Sequence, residues 1–330
     1  MSLTTTYLGL KLKNPLMPGA SPLADNLDSV RRLEDAGAAA IVLNSLFAEQ
    51  IERREQMFAR HIARWNDNFA EATTLFPEQD DYSMVPSEYL DRIVRIKAAT
   101  QLPLIASLNG TQIGSWVSHA QYIEQAGADA LELNTYFLAT LRNVTGAEIE
   151  QRVVEIARAV RKSVKIPVAV KLSPFYTSVA NLAGCLEQEK IDGLVLFNRF
   201  FQPEIDVETL EVSPRLDLSN HEDLRVRLRW LGLLRDQVKL SLGCSGGVHT
   251  AADVVRAILA GADAVQVVSA LLKQGPGYLT NLLAGLSAWM TEHEYGTIQE
   301  IRGALSLRNC PDAEAYERGN YLRTLQLWKE

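Results

Sequence analysis

Short runs of apolar residues recur along this chain, each lying between segments with the 3.6-residue period of an amphipathic helix. Four of them share one form. "DAGAAAIVLN" ends at Asn44, "QAGADALELN" at Asn134, "KIDGLVLFN" at Asn198 and "LAGADAVQVVS" at Ser269. Each is a helix closing at or near a glycine, a short turn, then a run apolar enough to be covered on both faces. Apolar strands alternating with helical segments predict a parallel sheet. Strands are expected over Leu16–Ala20, Ala40–Asn44, Leu104–Asn109, Ala130–Thr135, Val168–Ser173, Gly193–Asn198, Lys239–Gly243 and Ala264–Ser269. Helices are expected near 26–36, 87–99, 115–126, 146–162, 178–189, 222–236, 250–260 and 277–292. In the last of these Leu279, Leu282, Leu283, Leu286, Trp289 and Met290 form one stripe.

Eight such units predict a closed eight-stranded parallel α/β barrel of the TIM type, with residues 1–330 as one domain. An open doubly wound sheet is the alternative, but its G-x-G-x-x-G fingerprint after the first strand is absent. Tyr7 to Asn14 resembles a hairpin able to plug the barrel floor, and residues 296–330 read as a helical tail. Insertions of about 46–86 and 199–220 follow the second and sixth strands. Both fall at C-terminal strand ends, where barrel active sites are built, and loops of this length usually form lids or binding walls.

The seventh and eighth units carry the first chemical signal. The strand before Ser245 runs into Gly246-Gly247-Val248-His249-Thr250, and the strand after Gly261 runs into Ser269-Ala270. Thr250 and Asp253 make a capping pair, and Gly261 closes the helix. Glycines and small residues at two successive strand ends leave backbone N–H groups bare near a helix start, an arrangement that holds a phosphate.

Composition narrows the partners. With 40 acidic and 33 basic side chains the net charge is −7, which argues against nucleic acid and suits a small-molecule enzyme. Cys185, Cys244 and Cys310 lie far apart. Their spacing offers no metal or iron–sulfur site, and the odd count fits a reducing compartment such as the cytoplasm. Met1 to Asn14 has no long apolar core, so no secretion signal is expected, and no apolar run reaches the roughly 20 residues of a membrane helix.

Polar residues gather where the strands stop. Asn44, Asn109, Asn134 and Asn198 end strands two, three, four and six, and Lys171 sits inside the apolar run Val168–Leu172. Asparagine is common at strand exits because it tolerates turn conformations. Four of them beside a lysine that needs an anionic partner point instead to a planar, amide-rich ligand such as a pyrimidine or a flavin edge. A lysine there would stabilise negative charge developing on the ring.

The segments "LKNPLMPGAS", "LELN", "IPVAVKLSP", "GCSGGVHTAADVVRAILAGADAVQVVSALLKQGPGYL" and "YGTIQEIRG" stand in the order and spacing of the dihydroorotate dehydrogenase family, which the chain resembles over nearly its whole length. The long seventh-to-eighth-strand segment is the most specific of these. The likeness is to the soluble, FMN-dependent class. It implies a cytoplasmic flavoprotein of pyrimidine metabolism, a homodimer, and hydride transfer between a dihydropyrimidine-like substrate and FMN. A separate electron-transfer partner would be needed if an iron–sulfur path is used. It also implies that Ala20, Ser21, Asn44, Asn109, Asn134 and Lys171 line the flavin, that Gly246, Gly247, Ser269 and Ala270 hold its phosphate, and that Asn198 and Asn134 face the substrate.

The pattern departs from the family on the substrate side. Where the family has a Cys or Ser base after the fourth strand, this chain reads Asn134-Thr135-Tyr136-Phe137-Leu138-Ala139, with Phe137 in the base position. The lysine expected after strand two is Asn44, and the substrate-contacting asparagine of the following insertion aligns with Tyr82. Tyr136, Thr135 and Thr140 are the candidates for a replacement proton relay beside Lys171; a neutral tyrosine is a better acid than base at pH 7. Two rivals stand beside this reading. One is a flavin-free phosphate-binding barrel of lyase or isomerase type, and the other a flavin barrel without catalysis.

Overall fold

The computed structural model describes residues 1–47, 86–109, 113–135, 137–199, 202–214, 217–317 and 320–326. The early insertion with Tyr82, and Tyr136, therefore lie outside the described residues.

Eight parallel strands form the barrel: β3 (Leu16–Pro18), β4 (Ile41–Phe47), β5 (Leu104–Asn109), β6 (Ala130–Asn134), β7 (Val168–Leu172), β8 (Gly193–Leu196), β11 (Ser241–Ser245) and β12 (Ala264–Val267). From β4 onward each pairs with the next in chain order, and β12 returns to β3 with Val265 opposite Leu16. Between β3 and β4 the ring is drawn together by the Ala39 N–H, which donates to the Leu16 carbonyl at 2.9 Å. The expected barrel and all eight strands are present. The seventh strand lies two residues later than its pattern suggested, and the first, sixth and eighth stop two residues short, because their last residues turn into the mouth.

An outer layer of helices covers the strands: α1 (Leu27–Asp35), α2 (Pro86–Ala99), α3 (Ile113–Gln125), α4 (Gly146–Ser163), α5 (Val179–Gln188), α6 (Leu224–Leu234), α7 (Ala251–Ala260), α8 (Ser269–Gln274) and α9 (Tyr278–Glu292). Their stripes meet the outward strand faces in one large apolar core. In α9 Leu279, Leu282, Leu286 and Met290 are fully buried, while Leu283 and Trp289 pack at the margin. Thr250 caps α7 in a reciprocal capping box with Asp253, and Gly261 ends it at φ +128°. No helix among the described residues is long and apolar enough to cross a membrane.

The inward faces carry a second, smaller apolar cluster. Its members are mostly small, Ala40, Ala130, Ala169 and Ala264 among them, and this leaves room for the hairpin of β1 (Thr5–Tyr7) and β2 (Leu10–Leu12). Glycine is required at two places here. A Cβ on Gly193 would come within 2.5 Å of the Leu8 side chain, and one on Gly243 within 2.9 Å of the Tyr7 hydroxyl. The hairpin thus closes the floor, as its sequence suggested.

The later insertion contains a second antiparallel hairpin, β9 (Pro203–Asp206) with β10 (Glu211–Pro214), which leaves Ile205, Val207, Leu210 and Val212 exposed. The tail is less helical than expected. Beyond α10 (Ile298–Ile301) it runs through turns to α11 (Asn320–Gln326), because its backbone is tied down elsewhere: the N–H groups of Gly303, Leu305 and Leu307 donate to Ile258, Leu259 and Gly232.

Candidate active site at the barrel mouth

In a barrel strand alternate residues face inward, so the last inward residues of each strand define the site. One layer above the apolar floor, β6, β7 and β12 point Glu132, Lys171 and Gln266 at one another. Lys171 Nζ lies 3.1 Å from Glu132 Oε1, and Gln266 Nε2 donates to Glu132 Oε2 at 2.6 Å. All three are buried. A carboxylate only accepts, so the Gln266 amide is fixed with its nitrogen on Glu132. Its Oε1 is left buried without a hydrogen-bond partner, close to Gly19 at the end of β3.

A second polar layer sits at the rim. Asn198 Nδ2 donates to Asn134 Oδ1 at 2.7 Å, and Asn134 Nδ2 donates to Ser45 Oγ at 3.3 Å. Ser45 and Ser107 share a hydrogen bond at 2.8 Å. Behind them the Tyr89 hydroxyl of α2 accepts from the Ser107 N–H and donates to its carbonyl, which clamps β5. Burial pushes the Tyr89 phenol well above the ordinary tyrosine range. Asn109 is buried at the end of β5 on the same inward register as Ser107.

Asn44 is not in this chain of hydrogen bonds. Val42 pairs with Ile105 but Ser45 with Ser107, so β4 carries one extra residue. That bulge reverses the alternation. Ser45 takes the inward place, and Asn44 donates to Asp25 at 2.9 Å, beside the Asp25–Arg92 ion pair on the edge of a surface cleft of about 300 Å³ between α1 and α2. Thr135 follows Asn134 on the opposite face, fully buried, and donates to the Lys171 carbonyl at 3.1 Å. This hydrogen bond ties the end of β6 to β7. Phe137 is tucked toward α4, where the Arg152 guanidinium stacks 4.5 Å over its ring.

The glycine turn after β11 meets the start of α8. Gly246 and Gly247 have φ of +95° and +80°. A Cβ on Gly247 would lie 2.3 Å from the Leu224 nitrogen, so this turn admits only bare backbone. Arg227 buttresses it from behind, with Nε on the Ser245 carbonyl at 3.0 Å and Nη1 on the Asp223 carbonyl at 2.7 Å. The Ser219 hydroxyl donates to Ser269 Oγ at 2.8 Å and accepts from the Gly247 N–H at 3.3 Å. Ala270 is buried in the first turn of α8. Ala20 is half-buried at the rim, and Ser21 Oγ is buried without a partner.

The residues present fit a flavin mononucleotide. A glycine cradle with two hydroxyls matches a phosphate, and the Gln266 and Ser21 side-chain oxygens are buried without partners. Sequence reasoning missed Ser45, Ser107, Glu132, Ser219 and Gln266. Glu132 and Gln266 carried the signal that identified Lys171, a polar residue inside an apolar strand. Ser45 carried none, because a bulge leaves no mark in composition.

The fold and candidate site together are a closed parallel barrel with amide side chains at its rim, a buried ion pair below and a glycine turn after its seventh strand. A family model described as dihydroorotate dehydrogenase matches residues 2–290, and the chain belongs to that family. Among its relatives, the dihydroorotate dehydrogenase B (NAD(+)) catalytic subunit of Thermoplasma acidophilum is 26% identical, over 91% of this chain and 98% of its own. The dihydroorotate dehydrogenase A (fumarate) of Lactobacillus delbrueckii subsp. bulgaricus is 30% identical, over 79% of this chain and 85% of its own. The chloroplastic dihydropyrimidine dehydrogenase (NADP(+)) of Arabidopsis thaliana is 26% identical, over 91% of this chain and 76% of its own.

Proposed function

We propose that this protein is an FMN-dependent oxidoreductase that transfers hydride between a dihydropyrimidine-like substrate and the flavin, in the cytoplasm. The observation that carries this reading is the row Asn198–Asn134–Ser45–Ser107 above the buried Lys171–Glu132 pair. Amides that both donate and accept suit the imide and amide edges of a pyrimidine ring. When bound, FMN would supply the two-electron acceptor or donor that no side chain offers.

This chain's own groups do the rest. Gly246, Gly247, Ser269 and Ala270 hold the phosphate, and Ala20, Ser21, Asn109 and Asn134 border the ring. Lys171, held by Glu132, would offer its ammonium to negative charge developing on a bound flavin. Asn198 and Asn134 orient the substrate. Phe137 accepts no proton, so a proton leaving or reaching substrate carbon travels by another group, and Tyr136 is our candidate. A tyrosine in this role favours reduction of an activated double bond over desaturation. The exposed apolar hairpin β9–β10 supports a homodimer, and electrons would reach or leave the flavin through a separate partner.

The test is the visible spectrum of the purified protein, then anaerobic addition of dihydroorotate. Flavin absorbance that bleaches establishes oxidation of dihydroorotate by the flavin. Flavin that stays oxidised with dihydroorotate but is reoxidised by unsaturated pyrimidines after chemical reduction establishes the reductive direction. Protein that takes up no FMN overturns the reading in favour of a flavin-free phosphate barrel, and bound flavin inert to every pyrimidine favours the non-catalytic one.

A further inference from the structure

His249 stands three residues beyond Gly246, where the chain leaves the glycine turn for α7. Its Nε2 lies 3.4 Å from Ser219 Oγ, the same hydroxyl that receives the Gly247 N–H and donates to Ser269 Oγ. Four groups on three different segments thus converge on one point, and both serines there are more than nine-tenths buried. The imidazole is held in place by its backbone: its N–H donates to Asp253 Oδ2 at 3.1 Å, and its carbonyl accepts from the Tyr278 hydroxyl at 3.0 Å.

Arg227 lies behind the glycine turn, with its guanidinium given to two carbonyls. Asp253 beneath it is buried and already paired with His221 Nδ1 at 2.7 Å and Arg256 Nη1 at 2.8 Å. The charged groups facing His249 are Lys273 from α8, Asp253 from α7 and His221 from the turn before α6. Burial, then Lys273, holds the imidazole below its ordinary range, so it is largely neutral near pH 7 without an anion beside it. A phosphate within hydrogen-bond reach reverses that balance.

We propose that His249 is a ligand of the phosphate held in this cradle and that its protonation makes phosphate retention stronger as the pH falls. This rests on the reading that the cradle takes a phosphate ester, and it adds to that reading a residue that makes cofactor retention pH-dependent. The sign follows from linkage. The bound anion raises the imidazole pKa, so binding takes up a proton, and affinity climbs as pH drops through the pKa of the bound state, levelling off below that of the free state.

The experiment compares the wild type with His249→Gln, which keeps an N–H at the end of the side chain but cannot be protonated. FMN, riboflavin and inorganic phosphate are each titrated at about pH 5.5 and about pH 8. The titration of phosphate itself affects both proteins equally, so the ratio of their affinities isolates His249. That ratio should rise about three- to tenfold toward acid pH for FMN and for inorganic phosphate, and stay flat for riboflavin. Equal pH dependence in the two proteins overturns the proposal. If inorganic phosphate shows the effect while FMN and riboflavin do not bind, the role of His249 stands and the flavin reading falls. If no phosphate species binds, both fall.

Discussion

Lys171 and Glu132 form an ion pair at 3.1 Å between adjacent barrel strands, and both side chains are buried. Removing either charge alone strands the other. Lys171→Met is expected to cost about 3–5 kcal/mol of stability. The double variant Lys171→Met/Glu132→Gln should recover most of that loss, since it leaves no uncompensated charge. Urea denaturation of the three proteins measures this. A double variant no more stable than Lys171→Met would show that the pair is not coupled.

Gly247→Ala places a methyl group 2.3 Å from the Leu224 nitrogen at a φ of +80°. The turn must move, so a loss of about 2 kcal/mol or more is expected, together with loss of FMN retention. Thermal unfolding and flavin content after gel filtration report the two effects. A variant that keeps both would contradict the close approach.

Phe137→Cys restores a thiol at the position where the family carries its base. Phe137 is turned toward α4 under Arg152. The thiol is therefore expected not to raise the rate of dihydroorotate-dependent flavin reduction more than about twofold, while stability falls by about 1–3 kcal/mol from lost packing. Stopped-flow bleaching checks the first and denaturation the second. A large gain in rate would place this side chain in the mouth.

The three cysteines should separate by reactivity. Cys244 is buried in β11 and its thiol is pushed up to about 12 by burial, whereas Cys185 and Cys310 are half-buried. Alkylation of the native protein at about pH 8 should modify Cys185 and Cys310 and spare Cys244, as read by peptide mass spectrometry.

The same raised thiol, with the raised phenols of Tyr7 and Tyr89, makes the fold sensitive to alkali. These groups are neutral acids in the folded protein, so their contribution is intact below their unfolded pKa values. It erodes from about pH 8.5 upward, as the unfolded chain alone releases protons. Urea midpoints should fall steadily between about pH 9 and pH 11.

Much of this architecture was legible because apolar runs and helical stripes encode burial, and a parallel barrel buries both strand faces. The cradle was legible because Gly246 and Gly247 are glycines for a steric reason. Ser45 was not legible because reading by alternation assumes an unbroken pleat, and the bulge in β4 gives Ser45 the inward register that alternation assigns to Asn44. Glu132 and Gln266 were overlooked because each stands one layer below the strand ends. The tail lost its expected helices to hydrogen bonds with residues 232, 258 and 259, which no local pattern encodes.

The floor hairpin gives the barrel a particular order of assembly. Thr5 Oγ1 donates to the Asp263 carbonyl, β3 pairs with β12, and Ser2 exchanges hydrogen bonds with Gly296 and Ile298. The hairpin meets Gly193 and Gly243 as those emerge, but β3, made early in synthesis, finds its β12 partner only near the end. On the ribosome the β12 side of β3 waits uncovered, and the ring closes only when β12 arrives. Nascent chains stalled before Asp263 should thus hold the early β–α units in an open ring, as protease sensitivity near Leu16 and Met17 would reveal.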